Sequence, residues 1–158
     1  MKNIFLIIVL LCSSYLMAQE MVTPVKEVVT PPEVVKFAFE KGYPNKKPFW
    51  SMEYVGDDND EIRYEAKFNL TTKTKALAVY DNSGNLKAFE KQIPLTELPQ
   101  KAQTYLKTNY PANAIREIAI ITDYKNKITY EVGIKKEGKF YDVVFDKNGG
   151  FDVIIQKD

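Results

Sequence analysis

Between Glu61 and Phe68 the chain alternates charged and apolar residues without a break: Ile62, Tyr64, Ala66 and Phe68 are separated by Arg63, Glu65 and Lys67. A period of two with charged alternates predicts a strand buried on one face only. Ile128, Tyr130, Val132 and Ile134 repeat the alternation 66 positions further on. A hairpin signal follows each strand. Ala76 to Tyr80 runs into Asp81-Asn82-Ser83-Gly84 and then Asn85 to Phe89; Tyr141 to Phe145 runs into Asp146-Lys147-Asn148-Gly149 and then Gly150 to Ile154. The aspartate that opens such a turn can accept from its backbone N–H groups, and glycine tolerates the positive φ that closes it. Phe49 to Val55 and Ile115 to Thr122 add one more extended stretch ahead of each set.

Helical spacing also occurs twice. Val35, Ala38, Phe39 and Tyr43, and again Ala102, Tyr105, Leu106 and Tyr110, fall at i, i+3, i+4 and i+8, which gives each segment one apolar stripe. Pro31-Pro32 and Pro44 bracket the first segment, Pro99 and Pro111 the second. Thr30 and Glu33 have capping-box spacing, and Thr96 is placed to cap the second helix. The expected fold class is therefore α+β, a tandem duplication of a helix followed by about four antiparallel strands, with the helices packed on one face of the sheet or sheets. On this reading the first unit spans 30–92 and the second 93–158, after a flexible N-terminal segment at 19–29.

Residues 1–18 have the pattern of a removable signal peptide: Lys2, an apolar run from Ile4 to Leu11, then Cys12-Ser13-Ser14 and the small residue Ala18. The run is shorter than the ~20 residues of a bilayer span, so no permanent membrane anchor is expected and the localisation is periplasmic or secreted. Leu11 stands where lipoprotein processing at Cys12 would want a small residue. Hydrophobic residues make up 45% of the chain and charged residues 27%, which supports a packed core over disorder. Without Lys2 the basic and acidic residues balance, so no nucleic-acid partner is expected. Histidine is absent, and Cys12 is the single cysteine. The mature chain thus lacks histidine triads, thiol nucleophiles, disulfides and the usual zinc ligands.

The remaining candidates for chemistry have simpler readings. Asp57-Asp58-Asn59-Asp60-Glu61 is rich in oxygen donors, but an EF-hand loop starting at Asp57 would need glycine and glutamate where Ile62 and Phe68 stand. Asp81 and Asp146 could form a carboxylate pair for acid–base work, yet each is accounted for as the first residue of its own turn. Ser51 and Ser83 lie outside any nucleophile motif. No catalytic residue, metal ligand or cofactor is expected.

The helix-free side of the sheet is the feature with functional content. If Ala76, Ala78 and Tyr80, with Tyr141, Val143 and Phe145, face the helices, then Leu77, Val79, Phe140 and Val144 face away. Phe89 and Ile154 join them if Leu86 and Ala88, with Phe151 and Val153, point inward. An apolar outer patch of Leu77, Val79, Phe89, Phe140, Val144 and Ile154 calls for cover. The cover is either internal, from Val22, Val25, Val28 and Val29, or another protein.

Tyr43-Pro44 and Tyr110-Pro111 at the helix ends, Trp50 in the first strand, Leu98-Pro99 at the second helix, and the turns Tyr80-Asp81 to Gly84 and Phe145-Asp146 to Gly149 together give a pattern. It resembles the β-lactamase-inhibitor-like, PepSY-like family of exported bacterial proteins, over roughly Pro31 to Lys157. The resemblance implies two repeats with joined or adjacent sheets, at the cell envelope. It also implies protein binding through the helix-free sheet face, as in the inhibitor that names the family. No inhibitory residue carries over, because no loop here matches an inhibitory motif. The expected function is an exported, non-enzymatic protein-binding module, possible partners being another envelope or secreted protein, with a structural or calcium-binding envelope protein as the alternative.

Overall fold

A computed structural model describes residues 29–55 and 61–157. The expected signal peptide, the segment up to Val28 and the acidic stretch from Asp57 to Asp60 lie outside the described residues. The described elements are α1 (Glu33–Gly42), β1 (Phe49–Val55), β2 (Glu61–Asn69), β3 (Lys75–Asp81), β4 (Leu86–Gln92), α2 (Gln100–Asn109), β5 (Ile115–Asp123), β6 (Ile128–Lys136), β7 (Lys139–Asp146) and β8 (Phe151–Lys157). The strands form a single antiparallel sheet in chain order, each hydrogen-bonded to the next.

This corrects the expected fold class of a tandem duplication with helices packed on the sheets. The protein is mostly one curled eight-stranded sheet, a half-barrel, with two helices of ten residues each. The decisive contact is between β4 and β5, where Ala88 to Gln92 pair with Asp123 to Ala119. Two separate sheets would leave both of these strands with a row of unpaired N–H and C=O groups, and joining them satisfies that row. The helices are small beside this surface. Each is about 15 Å long, and they bury only Val35 and Phe39 in α1 and Ala102 and Leu106 in α2.

Two hydrophobic clusters lie on the helix side. The first joins Val35 and Phe39 to Tyr64, Ala66, Phe68, Ala76, Ala78 and Tyr80. Its centre is aromatic: the Phe39 ring meets Phe68 edge-on at 5.1 Å and Trp50 at 5.5 Å. The second cluster is more aliphatic, with Leu106 and Ala102 against Ile118, Val132, Ile134, Val143 and Phe145.

Helix initiation differs from the expected caps. Pro32 and Pro99 are the N-caps, and neither helix has a side-chain cap. Instead the proline carbonyls accept from Val35 and Lys36, and from Ala102 and Gln103. Proline fixes the backbone at these starts, so Thr30 and Thr96 fall too early to cap. Glu33, free of the capping box, pairs with Lys36 at 2.6 Å.

The two long hairpin turns follow aspartate chemistry. Asp81 Oδ1 accepts from the backbone N–H of Ser83 and Asn85, and Asp146 Oδ1 from Asn148 and Gly150. Gly84 and Gly149 close them at φ of 80° and 78°. Both turns also press on a helix start. A Cβ at Gly84 would lie 2.9 Å from the Val34 carbonyl oxygen, and one at Gly149 would lie 2.8 Å from Pro99 Cβ and 2.9 Å from the Ala102 nitrogen. Gly149→Ala should therefore cost about 2 kcal/mol or more, from strain plus the clash. Gly138→Ala, at φ of 80° with open space around it, should lose only the backbone part, about 1 kcal/mol. Urea unfolding of the two variants checks the order, which equal losses would contradict.

Candidate functional site

Strand register decides which side chains share the helix-free face. Leu77 alternates with Ala76 and Ala78, both buried in the first cluster, and therefore points away from α1. The antiparallel pairs then carry the face across the sheet. One row runs Lys67, Leu77, Glu90, Ile121, Thr129. A second runs Gln92, Ala119, Glu131, Val144, Val153. A third runs Glu117, Gly133, Asp142, Ile155. Single acids thus sit among apolar side chains on adjacent strands.

Of the residues expected on this face, Leu77, Val79 and Val144 lie there half-buried and Phe140 lies there 50% exposed. Phe89 and Ile154 do not. Phe89 pairs with Ala78 and stacks on Tyr43 at 5.6 Å, on the helix side. Ile154 pairs with Val143, also a helix-side position. The cause is the same in both strands. A register shift between Val79 and Tyr80 leaves Lys87 as an extra residue in β4, and one between Val144 and Phe145 leaves Asp152 as an extra residue in β8. One inserted residue sends every later side chain to the other face. Val153 and Ile155 take the place expected for Ile154.

The expected patch is also divided. Leu77 and Val79 on β3 are four strand spacings from Phe140 and Val144 on β7, about 19 Å. Between them lies a groove of about 660 Å³ lined by Glu65, Glu90, Glu117, Glu131 and Asp142, together with Leu77, Ala119 and Lys157 among others. The sequence reading missed these acids as a group. Their only trace is a lone carboxylate between apolar neighbours, as in Phe89-Glu90, Tyr130-Glu131-Val132 and Tyr141-Asp142-Val143.

The electrostatics follow from the crowding. Asp142 is buried at 6% exposure and holds Lys157 Nζ at 2.5 Å. That hydrogen bond raises the Lys157 ammonium above the ordinary lysine range. Burial pushes the Glu131 carboxyl up to about 7, with the Asp142 charge adding to the shift. Burial and the Glu117 charge raise Glu90 as well. Glu65 goes the other way: burial would raise it, but hydrogen bonds from Ser51 at 2.7 Å and from Lys67 outweigh that and lower it. The turn carboxylates are elsewhere. Asp146 is held below the usual range by the Gly150 and Asn148 N–H groups, both of which donate to Oδ1, so it serves its own turn. Among the described residues no three acids gather closely enough to hold a metal ion. Of the valines expected as internal cover, Val22, Val25 and Val28 lie outside the described residues, while Val29 packs against the first cluster on the helix side.

The family model described as beta-lactamase-inhibitor-like, PepSY-like matches residues 62–152. The chain belongs to this PepSY-like family. Solved structures with a similar fold include a candidate periplasmic protein from Bacteroides eggerthii DSM 20697, with a TM-score of 0.66 at 14% identity over 81% of this chain and 90% of that one. A DUF2874 family protein from Bacteroides uniformis ATCC 8492 aligns at 0.63 and 15% identity, over 80% and 90%. A BLIP-like protein from Bacteroides fragilis NCTC 9343 aligns at 0.56 and 19% identity, over 81% and 87%. At these identities the likeness is one of fold. No curated protein matches the sequence. No described helix of this PepSY-like protein is long and apolar enough to cross a membrane.

The raised Glu131 carboxyl makes stability depend on pH in a defined direction. The folded protein keeps this proton between the ordinary carboxylate value of 4.5 and about 7, where the unfolded chain has lost it. Stability therefore falls as pH rises through that window. Glu131→Gln should stabilise the protein by about 1–2 kcal/mol at about pH 8, after allowance for the water that reaches the carboxyl, and should change little at about pH 4.5. Thermal unfolding at both pH values checks this, and an equal shift at both would rule it out.

Proposed function

We propose that this protein is an exported, non-enzymatic binding module, freed of residues 1–18 and acting in the periplasm or outside the cell, that engages another protein through its helix-free sheet face. The observation that carries the reading is the composition of that face. Apolar side chains on β3, β5, β7 and β8 alternate with carboxylates around an open groove, so a partner would find hydrophobic anchors beside charged groups that fix orientation. Membership of an inhibitor-like family favours binding over catalysis. The chemistry of the groove favours it too. Histidine is absent from the sequence, and Ser51, the serine nearest these acids, is engaged as a donor to Glu65. A row of carboxylates offset by the single ammonium of Lys157 is suited to recognising cationic and hydrogen-bond-donating groups.

The double substitution Leu77→Asp with Val144→Asp should weaken capture of a specific partner from an envelope extract by at least about ten-fold, as expected when apolar anchors become charged. Both side chains are half-buried at the surface, and thermal unfolding confirms that the variant is folded. Phe37→Asp, at a position on α1 that is 68% exposed, should leave capture unchanged. Capture that survives the double substitution, or is lost with Phe37→Asp, would overturn the reading.

A further inference from the structure

The last strand of the sheet has no neighbour among the described residues on one side, and its sequence does not protect it. Every residue from Phe151 to Lys157 in β8 is exposed. Phe151, Val153, Ile154 and Ile155 are 43–48% exposed, with Val153 and Ile155 on the helix-free face and Ile154 on the other. An edge strand presents a row of unpaired N–H and C=O groups, and soluble proteins blunt such edges with proline, mid-strand lysine or a bulge. In β8 the bulge is at Asp152, near the start, and the stretch from Val153 to Gln156 carries no charge or proline.

We propose that β8 is a self-association edge, through which two copies of the chain pair antiparallel about Ile154 and join their sheets. The strand is complementary to itself in that register. Val153 of each copy faces Ile155 of the other on the helix-free side. Ile154 faces its own counterpart on the helix side, and Asp152 comes level with the amide of Gln156. Charge favours the antiparallel direction: parallel in-register pairing would set Asp152 against Asp152 and Lys157 against Lys157, whereas antiparallel pairing about Ile154 keeps these like charges apart. The twofold axis stands perpendicular to the sheet, so the association closes at two copies and keeps both helix-free faces on one side. The two grooves described above then open in the same direction, giving a bivalent surface. This inference is independent of what the groove binds.

The position of Ile154 on the axis supplies the test. Sedimentation velocity of the mature protein over a series of concentrations should show a reversible monomer–dimer equilibrium. Ile154→Lys and Ile154→Glu each place two like charges face to face, and each should weaken the dimer by at least about ten-fold. Mixing the two variants should restore it, because lysine then faces glutamate; a variant that had merely misfolded would not be rescued. A wild-type protein that stays monomeric at the highest concentration would overturn the proposal, as would dimers indifferent to both substitutions. An open-ended series of oligomers would overturn it in favour of head-to-tail pairing between β8 and β1.

Discussion

The hydrogen-bonded ladder between β4 and β5 is the contact on which this molecule depends. Among the described residues it is the only pairing in the sheet whose two strands are separated by a helix in the chain, so no tight turn enforces it. It forms because the alternative leaves two strands with bare backbone in water or against a neighbour. Once it is made, rows of side chains continue from β2 to β8, and five groove acids come together from five different strands, Glu65, Glu90, Glu117, Glu131 and Asp142, with Lys157 from a sixth. None of them has more than one sequence neighbour in the site. The site is a property of the joined sheet.

Local structure was legible in the sequence because its causes are local. Strand alternation in Ile62 to Phe68 and the proline brackets around both helices report faces and ends that depend on a few adjacent residues. The aspartate turns belong to the same class, since Asp81 and Asp146 bond to atoms two and four residues away. What depended on partners was not legible. Lys87 and Asp152 carry no mark as bulge residues, and without knowing the strand opposite each, Phe89 and Ile154 are assigned to the wrong face by simple counting. Fold class failed for a related reason. Periodicity within β4 and within β5 says what each strand buries, not that the two lie side by side. The carboxylates of the groove were invisible as a set, because an isolated glutamate in a strand is read as an ordinary solvated alternate.

The groove is also where the protein accepts an energetic disadvantage. Burial raises Glu90 and Glu131, so at neutral pH the sheet holds these carboxylates at a cost that apolar residues would not incur. Lys157 offsets part of it through Asp142, and Lys67 does the same for Glu65. The Lys157 charge also acts to lower Glu90, but burial and the Glu117 charge outweigh it. Stability alone gives no reason for this arrangement, which fits a surface shaped by recognition.

The two hydrophobic clusters have no residue in common. A lesion in the aromatic packing around Phe39 has no shared cluster residue through which to reach the more aliphatic packing around Leu106. Each core can therefore be remodelled by substitution while the other stays intact. Such compartments let the side chains of one flank vary while the shared ladder preserves the architecture, a physical basis for solved structures that share the shape at identities below one residue in five.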